Sequence, residues 1–204
     1  MSSTNPAAVP TEFHPYGLPL GTVRGFLSVL ICSFFWIVLL YPGEKTFHVP
    51  LAHFFLLSLV FLAFASHPLH EAQTSAFLPW LMRTIFVGGS AVVLGYVAYK
   101  HPSHLAVRLT PNAEDISQWP VLLGCFSGGF GIALFIRFIL GRKNELFQTL
   151  RAWVGVLAVL LLLFETLFQF VIIPELSDSP GPEAMKIWEG VLIAVVASYF
   201  GSRA

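Results

Sequence analysis

The sequence predicts an all-α integral membrane protein, a bundle of six transmembrane helices with both termini in the cytoplasm. Composition is the first reason, because the 204-residue chain is 56% hydrophobic and only 11% charged, with a mean hydropathy of +0.76. A soluble domain carries roughly 25% charged residues and could not bury so much apolar surface in one core. The second reason is that the apolar residues fall in six long runs, which in lipid satisfy their backbone hydrogen bonds as helices.

Each of the first three runs has a local boundary signal. The first follows an irregular, proline-containing arm at residues 1–22, and it is too long for the core of a signal peptide. The second stops at His67-Pro68, since proline disfavours helix in the residue before it. The third carries Pro79 in its first turn, where a missing N–H costs little. We predict these helices at residues 23–41, 49–66 and 76–99.

The last three runs complete a single transmembrane domain, residues 23–204. The loop 102–119 precedes the fourth run, and its segment from Pro111 to Ile116 is typical of a cap followed by a short interfacial helix. The fourth run ends at Gly141 and the fifth at Pro174. We predict these helices at residues 120–140, 152–173 and 184–201.

The distribution of lysine and arginine predicts the orientation. With the N-terminus in the cytoplasm, seven of the eleven basic residues lie on or toward the cytoplasmic side and four lie on the other. Because cytoplasmic loops are enriched in Lys and Arg, we expect both termini inside, in the plasma (inner) membrane of a bacterium. The cytoplasmic set is Arg24, Arg83, Arg137, Arg142, Lys143, Arg151 and Arg203, and the outer set is Lys45, Lys100, Arg108 and Lys186. Trp119 and Trp188 fall at the predicted outer boundaries, as in an aromatic belt.

Charge and cysteine content exclude several classes of function. The formal net charge is zero, and without clustered basic residues we expect no nucleic-acid partner. Cys32 and Cys125 fall inside apolar runs, where they are small packing residues rather than a disulfide or metal motif. His53 and His67 have the fourteen-residue spacing with which membrane cytochromes hold two haems, but no second helix offers such a pair. We therefore predict no cofactor.

Small residues form two stripes on the fourth predicted helix. Gly124 and Gly128 are four residues apart, as are Ser127 and Gly131, so each pair shares a helix face. Small residues let another backbone approach closely in lipid. The third predicted helix offers a matching surface, formed by Gly88, Ala91 and Gly95. Packing within one chain, packing between subunits and contact with a ligand are the three alternatives for these helix-packing residues.

Glu165 is the residue placed most unusually, because it lies well inside the fifth apolar run. An ionised carboxylate there is costly unless it is paired, hydrated or protonated. Gln169 lies one turn further on, and the sixth helix brings Glu189 to a similar depth, with Lys186 one turn above it. We predict that these four residues form a polar path for a proton or a cation. The alternatives are a structural hydrogen bond or salt bridge between helices, and a catalytic acid.

The paired histidines are weaker candidates. His67 and His70, with Glu71, resemble half of a metal site, and His101 and His104 repeat the spacing on the opposite membrane face. Neither pair has enough further ligands, so histidines at helix ends explain both, and we predict no metal.

Two functional hypotheses follow, and a third is weaker. The first is a small channel or transporter that passes a cation or a proton, as a homo-oligomer in the lipid bilayer. The second is an accessory or scaffold subunit of a larger membrane complex, without activity of its own. An intramembrane enzyme acting on lipid would need a nucleophile that His67, His70 and Glu71 lack, so we do not expect an enzyme.

Overall fold

The computed structural model describes residues 22–41, 48–65, 77–111, 113–141, 144–173 and 182–203. Within these ranges 94% of the residues are helical and none lies in a strand. The all-α prediction is therefore confirmed for the described residues. The helices are α1 (Thr22–Leu40), α2 (Leu51–Ala65), α3 (Phe77–Lys100), α4 (Pro102–Leu109), α5 (Ala113–Leu140), α6 (Glu145–Leu167), continued by a π-helical turn (Phe168–Ile172), and α7 (Pro182–Arg203).

Four of these helices are long and apolar enough to cross a membrane. They contain the stretches Val23–Leu40, Ile116–Leu140, Glu145–Ile172 and Glu183–Arg203. α2 and α3 contribute the shorter apolar stretches Leu51–Leu62 and Thr84–Lys100. Large apolar side chains point outward from several helices, among them Phe138 at 87% exposure and Val92 at 70%. Such surface suits lipid and not water, so length, composition and surface together indicate a membrane protein.

The six longer helices alternate in direction along the chain. His53, in the first turn of α2, contacts Ile31 and stacks on Phe34 in the second half of α1. Val49, just before α2, donates its N–H to the Arg108 carbonyl in α4, the helix that follows α3. Phe170, in the π-helical turn that continues α6, packs on Phe34 in the second half of α1. α6 therefore runs in the same direction as α1 and α3. α5 runs parallel to α7, because Gly129 lies against Ala194 and Cys125 against Gly190. We call the two ends of the bundle the Arg24 end, where α1 begins, and the Arg108 end, where α1 finishes.

The core lies where α1, α2, α6 and α7 meet. α2 packs between α1, α5 and α7, and its residues Ala52, Leu56, Leu59 and Val60 are buried. Lipid is as apolar as this core, so the helices are held by close packing and interhelical hydrogen bonds more than by the hydrophobic effect. A second cluster, nearer the Arg108 end, joins α1, α3 and the segment before α2. Its buried members are Phe34, Phe35, Val38, Leu39, Val49 and Val97.

The region before α5 differs from the prediction. The short helix is Pro102–Leu109 and lies before Pro111, whereas α5 begins at Ala113 and continues through Pro120. Proline lacks a backbone N–H and is common at the start of a helix. The sequence therefore predicted that this helix begins at residue 120. The other end of α5 is as the sequence indicates. Gly141 has a φ of 77°, which favours glycine, and its N–H donates to the Arg137 carbonyl.

Candidate functional site

The carboxylate of Glu165 is buried between α6 and α7. Its side chain is only 4% exposed. Gln169, one helical turn further on, donates from Nε2 to Oε1 of Glu165 at 3.0 Å. The indole N–H of Trp188, on α7, donates to Oε2. Both carboxylate oxygens therefore accept a hydrogen bond, one from the same helix and one from its neighbour.

Two aromatic rings lie beside this carboxylate. The ring of Phe164 meets the Trp188 ring edge-on, with centroids 5.1 Å apart. At a rise of 1.5 Å per residue, Glu165 lies about 30 Å from the start of α6 and about 10 Å before Ile172. This position is inside the apolar stretch Glu145–Ile172, nearer the Arg108 end of the bundle.

The two donors to Glu165 are neutral. Among the described residues, no cationic side chain donates a hydrogen bond to this carboxylate. Both carboxylate oxygens therefore have a hydrogen-bond donor, and neither donor carries a positive charge. Chemically, such a group can take up a proton or bind a cation.

Gln169 lies in the π-helical turn, Phe168–Ile172. A π turn adds a residue to the helical repeat, and such turns are frequent at functional sites. Here it follows directly after the α-helical part of α6, so the backbone changes its winding within one turn of Glu165. The spacing of four residues predicted that Gln169 and Glu165 share a face, and the hydrogen bond joins them.

The structure places the other two members of the predicted polar path on α7. Lys186 and Glu189 are both half-buried, and Glu189 has an interaction within the chain. The hydrogen bond from α7 to Glu165 comes from Trp188, which lies just before Glu189 in the sequence. The sequence placed Trp188 at a membrane boundary. A buried indole N–H needs a hydrogen-bond acceptor, so the tryptophan itself was the feature of the sequence that could have predicted this contact.

Neither of the two predicted small-residue stripes of α5 packs inside the described part of the chain. Ser127 is exposed, and a Cβ built on Gly124, Gly128 or Gly131 meets nothing within 4 Å. Gly88 and Gly95 of α3 are equally open. Packing of these residues between subunits stays a prediction.

Other glycines make the close contacts within the chain. A Cβ on Gly129 would overlap the Ala194 carbonyl, and one on Gly201 would lie 2.6 Å from the Phe130 carbonyl oxygen. Gly89 leaves room for the Trp36 ring, whose N–H donates to Ser90 Oγ at 3.1 Å.

The described histidines have structural surroundings. His53 is buried, and its Nε2 lies 2.6 Å from the Ile31 carbonyl oxygen. The exposed rings of His101 and His104 stack, with centroids 5.2 Å apart. No group of three His, Cys, Asp or Glu side chains that could hold a metal occurs in the described part of the chain. The weak metal candidates His67, His70 and Glu71 lie outside it.

Arg108 is a buried residue that the sequence did not single out. It is 5% exposed, and its guanidinium donates to the carbonyl oxygens of Val38, Leu39 and Tyr41 at 2.8–3.0 Å. These carbonyls end α1 and have no partner within that helix. A cation at a helix C-terminus is also favoured by the helix dipole. α4 thus positions Arg108 as the cap of α1.

Fold and site together define a helical membrane protein with a hydrogen-bonded carboxylate buried between two of its long helices. No family model matches the chain, and comparisons with curated proteins and with solved structures give no match either.

Proposed function

We propose that this protein is a small channel or transporter that passes a proton or another cation across a membrane, and that it works as a homo-oligomer. The observation that carries the proposal is the buried carboxylate of Glu165, held by Gln169 and Trp188 without a cationic donor among the described residues. Ionisable residues inside membrane helices usually mark proton or ion pathways. Glu165 is the group that takes up and releases the transported ion.

The proposed membrane arrangement has six crossings with both termini in the cytoplasm, and the plasma membrane of a bacterium is the proposed location. Alternating helix directions support it, since each long helix then starts on the side where the previous one ended. The basic residues Arg24, Arg137, Arg151 and Arg203 belong to helix ends at the Arg24 end of the bundle, which is the proposed cytoplasmic side.

The homo-oligomer rests on the exposed small-residue stripe of α5. Six helices of this length enclose little volume, so a path along one chain alone is narrow. Gly124, Ser127, Gly128 and Gly131 leave the α5 backbone open to close approach. In lipid, such surfaces are where helices of separate chains associate.

Glu165→Gln tests the function in reconstituted vesicles. The substitution keeps the size of the side chain and removes its negative charge, so proton or cation flux is expected to fall to the level of protein-free vesicles. Glu145→Gln is the matched control, because Glu145 is an exposed carboxylate at the start of the same helix and should leave flux unchanged. Gel filtration confirms that both variants remain folded. Flux in Glu165→Gln equal to that of the native chain, with unchanged pH dependence, would refute the proposal.

The second candidate is an accessory subunit of a larger membrane complex. The same exposed stripe on α5 favours it, because a different membrane protein can also cover this surface. Purification in mild detergent separates the candidates. A stoichiometric foreign partner supports the accessory subunit, whereas a single species with a mass that is a multiple of the 22.5 kDa chain supports the homo-oligomer.

A further inference from the structure

Three helices meet around Tyr199 at the Arg24 end of the bundle. A Cβ built on Gly155 of α6 would lie 3.0 Å from the Tyr199 ring of α7 and 3.3 Å from Val23 of α1. These contacts bring together the first turn of α1, the third turn of α6 and the last two turns of α7. They involve segments that are more than 40 residues apart in the sequence.

An arginine lies beside each of these contact points. Arg24 follows Val23, Arg151 lies one turn before Gly155, and Arg203 lies one turn after Tyr199. Each arginine is therefore within one helical turn of the contacts that join the three helices around Tyr199. We call these three arginines and the tyrosine the arginine cluster.

The Tyr199 hydroxyl is buried without a hydrogen-bond partner. The side chain is 1% exposed, and within the described part of the chain its oxygen has no partner of good geometry. Arg203 comes close, with its guanidinium carbon 5.9 Å from the ring centroid. Nε of Arg203 is also buried without a partner there. Buried polar atoms are nearly always paired, so this pair of atoms calls for an explanation.

The three arginines of the cluster belong to this end of the bundle. Arg24 and Arg151 make further interactions within the chain, whereas the Tyr199 hydroxyl and Nε of Arg203 have no hydrogen-bond partner in the described part of it. Of the carboxylates in the described helices, only Glu145 belongs to the Arg24 end, and it is exposed. An anion bound here would supply an acceptor for both of these buried donors.

We propose that the arginine cluster binds a phosphate group at the Arg24 end of the bundle. Arginine presents a planar set of donors that matches phosphate oxygens, and the tyrosine hydroxyl supplies one further donor. Because Arg203 lies over the Tyr199 ring, binding requires this long side chain to turn aside so that a phosphate oxygen reaches the hydroxyl. A lipid headgroup or a soluble phosphate compound can supply this phosphate, since the cluster lies at the end of spanning helices, where headgroups and water meet. The site is separate from Glu165, and it does not depend on the proposed transport.

Thermal unfolding of the purified full chain in neutral detergent tests the site. A ligand that binds the folded state raises the unfolding midpoint with a saturable dependence on its concentration. The probes are phosphatidylglycerol, inorganic phosphate, and a galactosyl diacylglycerol that has acyl chains but no phosphate, all at one ionic strength set with chloride. A saturable rise with phosphatidylglycerol alone identifies a lipid phosphate, and a rise with inorganic phosphate as well identifies a soluble one. The galactolipid is expected to give no saturable rise.

Variants locate the binding. Arg203→Gln and Tyr199→Phe each remove one donor to a charged group, so the affinity for the phosphate probe should fall about tenfold or more. Tyr199→Phe removes only the unpartnered hydroxyl and should fold like the native chain. Arg137→Gln is the matched control, because Arg137 is a half-buried arginine at the same end of the bundle, and it should keep the native affinity. The proposal is overturned if neither phosphate probe gives a saturable rise, or if Arg203→Gln and Tyr199→Phe weaken binding no more than Arg137→Gln.

Discussion

Two buried ionisable residues, Glu165 and Arg108, are stabilised in different ways. Glu165 receives hydrogen bonds from two side chains, whereas Arg108 donates only to backbone carbonyls. The sequence predicted the partner Gln169, because four residues make one helical turn. It did not predict Trp188 or the carbonyls around Arg108, since those contacts depend on how separate helices rotate and pack against each other.

Arg108→Gln is expected to destabilise the protein strongly. Glutamine is too short to reach all three carbonyls at the end of α1, and buried acceptors without partners cost about 1–3 kcal/mol each. We expect the free energy of unfolding to fall by about 3 kcal/mol or more. Denaturant titration in detergent measures this loss. Lys100→Gln, at the exposed last residue of α3, is the control and should change stability little; an equal loss in both variants would contradict the capping role.

Trp188→Phe tests the bond between α7 and Glu165. Phenylalanine preserves an aromatic ring against Phe164 but removes the N–H, which leaves one buried carboxylate oxygen without its donor. The free energy of unfolding should fall by about 1–3 kcal/mol. Trp153→Phe is the matched control on α6, because Trp153 is 63% exposed. If the two tryptophan variants have the same unfolding midpoint, the hydrogen bond contributes nothing to stability.

At the scale of the elements, the sequence indicated where small residues lie but not which of them pack. Gly128 belongs to a regular stripe and Gly129 does not, yet Gly129 meets α7 and Gly128 faces outward. Helix spacing defines which residues share a face, while the identity of the covering helix depends on the tertiary arrangement. The beginning of α5 was missed for a related reason, because a proline inside a helix looks like a start signal.

Substitution of two neighbouring glycines separates packing within the chain from packing between chains. Gly129→Leu places a side chain against the Ala194 carbonyl, where no flexible group can yield, so we expect a loss of about 3 kcal/mol or more in the free energy of unfolding. Gly128→Leu should leave the monomer stable and lower the mass of the assembly seen by light scattering. A stable Gly129→Leu variant would contradict the packing of α5 on α7. An unchanged assembly mass in Gly128→Leu would remove the support for contacts between subunits through this stripe.

At the scale of the whole molecule, the direction of the helices bears on the number of crossings. Arg108 caps the end of α1, and α4 follows directly after α3, so α1 and α3 finish at the same end. The start of α2 lies there as well, since the Val49 N–H donates to the Arg108 carbonyl. If α1 and α3 both cross in the same sense, α2 must return the chain between them. At 15 residues, α2 covers about 22 Å at 1.5 Å per residue, less than the roughly 30 Å of a bilayer core. Because α2 packs between α1, α5 and α7, few of its described side chains face lipid. A helix shorter than the bilayer core can therefore still return the chain.

Cysteine labelling between α2 and α3 decides between six crossings and four. Most labelling positions do not distinguish six crossings from four. If neither α2 nor α3 crosses, the chain still enters α5 from the same side. The segment near Arg142 and the tail at Ala204 then keep their predicted side. A cysteine at Gln73, introduced after Cys32 and Cys125 are changed to alanine, reports the difference directly. With six crossings it reacts with a membrane-impermeant thiol reagent only from the side that labels a cysteine at Ala204. With four it reacts from the opposite side. We expect the first result, because α3 is 24 residues long and carries the outward-facing Val87 and Val92, which are stable in lipid but not in water.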